Sequence, residues 1–365
     1  MRAINPDMVT IARESRGLSQ SELAKRLSIA QGALSKIEGG IRSPSPELAT
    51  KLATELDYPI EFFYSPEPVF GLGVGTLYHR KRQALSSSVL AMIHAQVNIR
   101  RIHISRLLKS VEFPEGKIRH LDLDDYGGSP VRIAQAVRAN WLLPNGPVQN
   151  ITEAIEDSGG IVIPFDFGTP LIDAVSQWPP DMPPLFFVNE TITGDRLRYS
   201  LAHELAHVIM HEIQTEHMED EANRFAAEFL MPANDILPSL VPVTLPRLAA
   251  LKSYWKVSMA ALLKRATDLE AVTERQARSL WMKMGQAGFR RREPPDLDIP
   301  IEQPTLFTEL IDTHKEDLGY SLSDLSALLT VHEHEFRRQP KQRQTPGAPL
   351  RLVKSKTRTI RQIHN

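Results

Sequence analysis

The chain has 365 residues, a formal net charge of −1 and no cysteine, and its length fits two or three domains that each bury a core. Without cysteine, disulfides and thiolate metal sites are excluded, so any metal must be bound through His, Asp or Glu. No segment reaches the ~20 apolar residues of a membrane span and the first residues lack a signal-peptide core, so we expect a cytoplasmic protein without membrane contact.

Charge is distributed unevenly along the chain. Residues 80–119 contain nine Lys and Arg against two acids, whereas residues 152–235 contain sixteen acids against three Lys and Arg. Nine further Lys and Arg, and no acid, follow Glu335. An acidic middle suits a cation site, and basic stretches suit an anion such as nucleic acid. Solvated helix faces are the alternative interpretation.

Residues 19–40, SQSELAKRLSIAQGALSKIEGG, predict two short helices joined by a tight turn. Ser19 caps the first helix, Glu22 completes its capping box, and a glycine pair ends the second. This is the spacing of a helix-turn-helix, whose second helix enters the DNA major groove by its amino-terminal half. The residues predicted to contact DNA are Gln20, Gln31, Gly32, Ser35 and Lys36.

A helical bundle that binds protein would have the same helix spacing. The longer run SQSELAKRLSIAQGALSKIEGGIRSPSPELATKLATEL, however, resembles the Cro/cI-type (XRE) DNA-binding family. The resemblance implies a five-helix DNA-binding bundle over residues 1–66. Because this module is nearly neutral and phosphate contacts supply much of DNA affinity, we expect a homodimer, or help from the basic stretch after Arg80.

The stretch LAHELAHVIMHE, residues 201–212, contains the pattern H-E-x-x-H. Residues four apart lie on one face of a helix, so His203 and His207 can reach a single ion. Glu204 lies beside them, where it can take a proton from water without being a ligand. The alternative is an ordinary helix with satisfied core or surface histidines.

A second helix, predicted over EDEANRFAAEFLMP, supplies a third ligand. Catalytic zinc usually takes three protein ligands and keeps one position open. We assign Glu219 as that ligand and Asn223, one turn later, as a residue that orients a ligating histidine. Glu216, which has Asp220 at the same spacing, is the alternative ligand, and Glu221 is expected to point elsewhere.

Three further positions near the motif have predicted roles. His211 lies eight residues from His203, about 12 Å along the helix axis, whereas ligand nitrogens converge to ~2.1 Å from zinc. His211 is therefore predicted to support the site or the fold without binding the ion. Tyr199 is predicted to stabilise the oxyanion, with Arg196 or Arg198 as alternatives.

The runs RYSLAHELAHVIMHE and EDEANRFAAEFLMP, with LFFVNE upstream and LKSYWKVSMAALLKRATDL downstream, resemble the ImmA/IrrE family of metallopeptidases. The resemblance covers about residues 126–285 and implies a zincin-like domain with a small β-sheet. It implies a gluzincin-like zinc endopeptidase in which Glu204 is the catalytic base and PLFFVNE is the edge strand beside the active site. The implied ligands of Zn²⁺ are His203, His207 and Glu219.

The predicted fold class is α+β, predominantly α. A basic helical connector over residues 67–125 joins the DNA-binding module to the metallopeptidase domain, residues 126–290. Residues 291–340 are predicted to be a proline-rich acidic linker and C-terminal helices, and residues 341–365 a mobile basic tail. The helix-turn-helix pattern of residues 245–269 predicts either a second DNA-binding unit or packing against the zinc helix.

These patterns predict a DNA-binding transcriptional regulator with a zinc-dependent endopeptidase domain. Members of the resembled family cleave Cro/cI-type repressors under stress or during mobile-element induction. The implied protein substrate is therefore such a repressor, a toxin–antitoxin partner, or a second copy of this chain. The alternative is a non-proteolytic transcription factor or antitoxin whose zincin-like domain senses a ligand or a partner.

Overall fold

The computed structural model describes residues 3–72, 85–113, 115–336 and 351–352. The chain is 57% helical with a three-stranded sheet, which confirms the predicted α-rich class. None of the helices in the described ranges is long and apolar enough to cross a membrane. The basic residues 80–82 and nearly all of the predicted basic tail lie outside these ranges.

The amino-terminal module is a bundle of four α-helices followed by a 3₁₀ turn. Local capping explains the boundaries of the second helix. Ser19 accepts a hydrogen bond from Glu22 N at its start, and Ser28 ends the helix in a left-handed conformation (φ 57°). The predicted fifth helix is the 3₁₀ turn. The elements are α1 (Pro6–Ser15), α2 (Gln20–Leu27), α3 (Gln31–Glu38), α4 (Pro46–Leu56) and the 3₁₀ turn (Ile60–Tyr64).

A long helix, α5 (Ser87–Leu108), forms the predicted connector. It packs along α1, and the Gln96 side chain donates to Ser15 O at 3.0 Å. The predicted basic face is partly buried, since Arg106 pairs with Glu67 at 2.8 Å. Apolar residues of α5 enter two cores, that of the amino-terminal module (Ala95, Ile99, Ile102) and that of the sheet (Ile93, Val97, Ile104).

The three-stranded sheet has the order β2–β4–β3, with β2 (Ile161–Phe165) parallel and β3 (Ala174–Gln177) antiparallel to β4 (Leu185–Asn189). The prediction that PLFFVNE is an edge strand is therefore wrong. All five residues of β4 are buried, because a central strand has both faces covered and neighbours on both sides. The edge strand that packs against the H-E-x-x-H helix is β3.

Eight helices of the described chain share one hydrophobic core with the face of the sheet that carries Val162 and Phe186. The H-E-x-x-H helix α8 packs against α9, where the small side chains of Ala206, Ala222 and Ala226 are fully buried and permit close approach. The bounds are α6 (Pro130–Asn140), α7 (Ile151–Asp157), α8 (Gly194–Met210), α9 (Met218–Leu230), α10 (Ala233–Leu240), α11 (Leu245–Trp255), α12 (Met259–Asp268) and α13 (Glu274–Gln286).

Helices α11 and α12 carry the second helix-turn-helix pattern. Their apolar residues, including Leu248, Trp255 and Leu262, belong to the same core as Leu201 and Leu205 of α8. This is the arrangement predicted as the alternative to a second DNA-binding unit.

The proline-rich acidic segment after α13 differs from the linker predicted for it, because it is packed against the start of α8. Glu293 is buried and pairs with Lys252 at 2.7 Å, and Glu302 pairs with the buried Arg198. A Cβ on Gly194 would lie 2.3 Å from Ile299 O, so this contact requires glycine. The elements that follow are α14 (Leu306–Asp312), a π-helical turn (Thr313–Asp317), α15 (Leu322–Leu329) and α16 (Glu333–Phe336). A two-residue strand, β1 (Val111–Glu112), pairs antiparallel with β5 (Arg351–Leu352).

Candidate metal centre and DNA-contact face

Helix α8 lies between the edge strand β3 and helix α9. Its apolar residues Leu197, Leu201 and Leu205 are buried in the core, which fixes the rotation of the helix about its axis. That rotation turns His203 and His207 toward α9, from which Glu219 projects in the first helical turn. Three potential ligands from two helices therefore converge at one point.

The donor atoms of this cluster, His203, His207 and Glu219, are separated by short distances. The two Nε2 atoms lie 3.0 Å apart. The Glu219 carboxylate places Oε2 3.4 Å from His203 Nε2 and Oε1 3.3 Å from His207 Nε2. Ligands at ~2.1 Å from one ion are separated by about 3.4 Å in a tetrahedral arrangement. The spacing therefore fits a single divalent ion.

The electrostatics of the cluster also fit a metal ligand set. Burial lowers the pKa of His207 to about 4, so the imidazole is neutral at physiological pH and has a free nitrogen lone pair. Burial alone would raise the pKa of Glu219, but hydrogen bonds and charge on His203 and His207 outweigh it, so the pKa is lowered. Glu219 Oε1 is buried and has no hydrogen-bond partner. A cation would satisfy this buried oxygen.

Glu204 follows His203 on α8 and is 3% exposed. Burial raises its pKa above the ordinary value, although the neighbouring His203 and a hydrogen bond from Ser176 oppose the shift. The Ser176 hydroxyl, on β3, donates to Glu204 Oε2 at 2.6 Å. The carboxylate is thus held between α8 and the edge strand β3. The role of Ser176 had no signal in the sequence, because it lies 28 residues away in a strand without a motif.

The predicted DNA-contacting residues surround the amino ends of α2 and α3. Gln31, Gly32, Ser35 and Lys36 are exposed on one side of α3. Gln31 Nε2 donates to Gln20 Oε1 at 2.7 Å, and Gln20 Nε2 donates to Glu38 Oε2 at 2.8 Å. Glu38 in turn forms an ion pair with Arg13 at 2.6 Å, a network that the sequence alone did not reveal. The two glutamine side chains are consequently held in fixed positions.

Family models match both halves of the chain. Residues 11–63 match the helix-turn-helix model, and residues 155–267 match the IrrE N-terminal-like domain, a peptidase family. The chain is a helix-turn-helix and IrrE-like fusion. It thus combines a DNA-binding module with a metallopeptidase-type domain. No curated protein matches the chain. The matched ranges lie inside the predicted domains 1–66 and 126–290, whose bounds stay predictions.

Within the IrrE-like domain, His211 supports the metal-binding cluster without joining it. Its Nδ1 lies 2.9 Å from His207 Nδ1, and its Nε2 lies 3.0 Å from Glu221 Oε2. Glu221 lies outside the ligand cluster, as expected, and its carboxylate contacts His211 instead. The Asn223 side-chain amide donates to the carbonyl of Glu219, one turn earlier on its own helix, at 2.7 Å. Among the described residues no hydrogen bond joins Asn223 to a histidine, so its role in orienting one stays a prediction. The alternative ligand Glu216 is exposed and outside the cluster.

The three residues predicted as candidates to stabilise the oxyanion lie in different environments in the IrrE-like domain. Tyr199 is half-buried one turn before His203, with its hydroxyl 3.4 Å from Asn223 O, and burial with the nearby Asp268 raises its pKa to about 12. Arg198 points away into the core, where it is fully buried and donates to Lys256 O at 3.0 Å. Arg196 pairs with Asp173 at 2.6 Å. Tyr199 remains the better candidate of the three.

A second histidine–carboxylate cluster, Asp57, His334 and Glu335, joins the helix-turn-helix module to α16. His334 Nε2 lies 3.2 Å from Asp57 Oδ2. Unlike the cluster in the IrrE-like domain, this one contains an arginine, since Arg16 pairs with Glu335 at 3.1 Å. Nothing in the sequence indicated it, because its members are some 280 residues apart.

Proposed function

We propose that the chain is a DNA-binding regulator whose IrrE-like domain is a Zn²⁺-dependent endopeptidase. The observation that carries the proposal is the joint placement of His203, His207 and Glu219 with the buried carboxylate of Glu204 next to them. A metal-binding scaffold alone needs only the three ligands. A second carboxylate that binds no metal, kept buried by the fold with a raised pKa, is the feature of a general base.

His203, His207 and Glu219 would hold the ion through two imidazole nitrogens and one carboxylate, the donor set of a catalytic zinc site. Zn²⁺ supplies Lewis acidity, which polarises the scissile carbonyl and acidifies water. The chain itself contributes the placement of the donors, the exclusion of bulk water by the α8–α9 packing, and the proton transfers described next.

Glu204 would accept the proton of the attacking water and return it to the departing amine. The raised pKa favours this exchange, because a base whose pKa is closer to neutrality both takes up and releases a proton readily. Ser176 fixes the carboxylate by donating to one of its oxygens, which leaves the other oxygen for the proton. Tyr199, which stays protonated because of its raised pKa, would donate a hydrogen bond to the oxyanion.

The edge of β3 that no strand of the described residues pairs with would bind the substrate as an added strand. Strand β3 pairs with β4 on one side and carries Ser176 beside the base, so an extended peptide along its other edge would pass the site.

The fused DNA-binding module favours a regulatory substrate: a Cro/cI-type repressor, a toxin–antitoxin partner or a second copy of this chain. We propose that cleavage in the cytoplasm, by a homodimer, relieves repression in a stress or mobile-element response.

Glu204→Gln tests the proposal because it preserves side-chain shape and all three ligands. We expect bound zinc and DNA binding to be retained, while cleavage of the repressor falls by about 10²- to 10⁴-fold. A reporter on a target promoter, with both chains at equal abundance, should remain uninduced by the variant. Glu212→Gln, at an exposed carboxylate just beyond α8, is the matched control. Equal induction by wild type and Glu204→Gln would favour the ligand-sensing alternative.

A further inference from the structure

Helix α8 presents one exposed side chain. Of its 17 residues, all of them described, Arg196 alone is exposed, and its side chain is 53% accessible to solvent. We propose that Arg196 binds a carboxylate side chain of the peptide substrate, an Asp or Glu about three residues from the scissile bond. The inference rests on the proposed peptidase function and adds the class of residue that the substrate contains near the cleavage site.

Arg196 lies on the same strip of α8 as the metal-binding histidines. It precedes His203 by seven residues and His207 by eleven, which are nearly whole numbers of turns at about 3.6 residues per turn. The apolar side chains of Leu197 and Leu201 cover a different side of the helix, in the core. At a rise of about 1.5 Å per residue, Arg196 and His203 are about 10 Å apart along the axis. The exposed guanidinium and the metal-binding cluster therefore face the same side of α8.

The guanidinium of Arg196 is fixed at the start of the edge strand. Its Nε donates to Asp173 Oδ2 at 2.6 Å, and the hydroxyl of Ser200, one turn later on α8, donates to the same oxygen at 3.3 Å. Asp173 immediately precedes β3, and Ser176, which holds Glu204, lies three residues further along that strand. A peptide added along β3 would therefore pass Arg196 as well as the base.

Two independent separations give the position of the recognised residue. An extended chain rises about 3.3 Å per residue, so the distance of about 10 Å between His203 and Arg196 corresponds to about three residues of substrate. Along β3 itself, Asp173 and Ser176 are also three residues apart. A substrate side chain about two to four residues from the scissile bond therefore reaches the guanidinium.

The pairing with Asp173 leaves most of the guanidinium available. Only Nε of Arg196 donates to Asp173, and neither Nη atom makes a hydrogen bond to another described residue. The outer edge of an arginine can bind a carboxylate through two parallel N–H bonds, so a second carboxylate fits beside Asp173. Because Asp173 already holds the side chain in one orientation, less conformational entropy is lost when the substrate binds.

The surrounding charges limit this preference to one position. Residues 152–235 contain sixteen acids and three Lys and Arg, so an acidic peptide would be repelled at other positions. Arg198 is fully buried. Arg224 is exposed but follows Glu219 by five residues, about 140° around α9. Of these three cations, Arg196 alone is exposed on the side of the metal-binding cluster.

The specificity is measured with a mixture of peptides. The full chain with Zn²⁺ is incubated with a chymotryptic digest of a proteome, and mass spectrometry of the products gives the residue frequencies around each cleaved bond. For wild type we expect Asp and Glu to be enriched about three- to tenfold, relative to the uncut mixture, about two to four residues to one side of that bond. Arg196→Gln should abolish the enrichment. Arg224→Gln, which removes an exposed cation elsewhere, should keep it.

Two further variants separate the effect of charge from that of structure. Arg196→Lys retains the charge without the planar fork, so a weaker enrichment of acids is expected. Arg196→Glu combined with Asp173→Lys reverses the ion pair and should replace the acidic preference with one for Lys and Arg. Zinc content equal to that of wild type shows that the site of each variant is folded. The same acidic enrichment in wild type and Arg196→Gln, its absence from the products of wild type, or equal loss in Arg224→Gln would overturn the inference.

Binding without cleavage separates this inference from the proposed function. A wild-type chain that cleaves no peptide would contradict the peptidase, whereas recognition can still be measured by retaining the same mixture on immobilised Glu204→Gln. We expect the retained peptides to be richer in Asp and Glu than those retained on a chain that carries Glu204→Gln and Arg196→Gln together. Equal compositions of the two retained sets would overturn the inference whether or not wild type is active.

Discussion

Among the described residues, two histidine–carboxylate clusters each bring three potential metal-ligand atoms close together, and they differ in nearly every other respect. In the IrrE-like domain, His203, His207 and Glu219 are largely shielded from solvent between two packed helices. At the helix-turn-helix module, Asp57 and His334 are about half exposed. Donor spacing alone therefore does not distinguish a metal site from an ordinary polar contact.

Charge compensation separates the two clusters. Glu219 has no Lys or Arg partner among the ion pairs of the described residues, and one of its oxygens is buried without a hydrogen bond. Glu335 already has Arg16 as its cation. Glu219 has only the two histidines as partners, and His207 is neutral at physiological pH, so a cation would offset the cost of keeping this carboxylate charged. The second cluster already contains such a cation in Arg16.

The largest expected effect is on metal content. His203→Ala and His207→Ala should abolish the bound zinc, about one per chain in wild type, and Glu219→Ala should weaken it. Asp57→Ala and His334→Ala should leave it unchanged, because the carboxylates of that cluster, Asp57 and Glu335, already have Arg16 as their cation. Atomic emission analysis of the purified proteins measures this. Full zinc in Glu219→Ala together with none in Glu216→Ala would move the third ligand to Glu216.

A smaller effect on metal affinity is expected from His211 and Glu221, which contact the ligand His207 or its neighbour and do not themselves belong to the ligand cluster. His211 connects His207 to Glu221 and so fixes which ring nitrogen of His207 carries the proton. Glu221→Ala should therefore raise the dissociation constant for Zn²⁺ about 10- to 100-fold, whereas Glu221→Gln, which retains an acceptor, should cost less. Competition with a chelator gives the constants, with Glu212→Ala as the control. Identical constants for Glu221→Ala and wild type would remove this role.

The two clusters should also differ in how they affect the stability of the protein as the pH changes. The pKa of His207 is lowered from 6.5 to about 4 by burial, so the folded state binds fewer protons than the unfolded state between these values. The stability due to neutral His207 is present above about pH 6.5 and is lost as the pH falls toward 4, an effect of about 2 to 3 kcal/mol. Denaturant titrations of metal-free protein should show this loss in wild type and in His334→Gln. His207→Gln should reduce it, and an unaltered pH profile in that variant would exclude His207 as the cause.

Helix periodicity and capping, which depend on residues close together in the chain, predicted the metal-binding cluster well. They predicted poorly the contacts between residues that are far apart in the chain. Helix periodicity brought His203 and His207 to one face, and capping residues such as Ser19 set helix starts, because both depend on residues within one or two turns. Ser176, by contrast, reaches Glu204 from a strand, and only the assembled sheet places it there. The same reason explains the misplaced edge strand: the apolar run of β4 is compatible with a buried strand, but its neighbours are decided by topology.

The packed segment after α13 was missed for a related reason. Prolines and acids are typical of linkers, and nothing local shows that Glu293 and Glu302 are needed to neutralise Lys252 and Arg198 in the core. Those two cations themselves belong to helices predicted from their apolar residues. A buried charge is visible in a sequence only when its partner lies close by in the chain.

Helix α5 limits where the chain could be cut into fragments that keep their hydrophobic cores covered. Its alternate sides complete the hydrophobic core under the DNA-contact face and the core under the sheet, so neither half is fully covered without it. A fragment ending at residue 66 would leave the α1 surface open to solvent, and a fragment starting after α5 would uncover one face of the sheet. The helix-turn-helix module and the sheet therefore share one helix, and cutting the chain on either side of α5 would expose apolar surface of one of them.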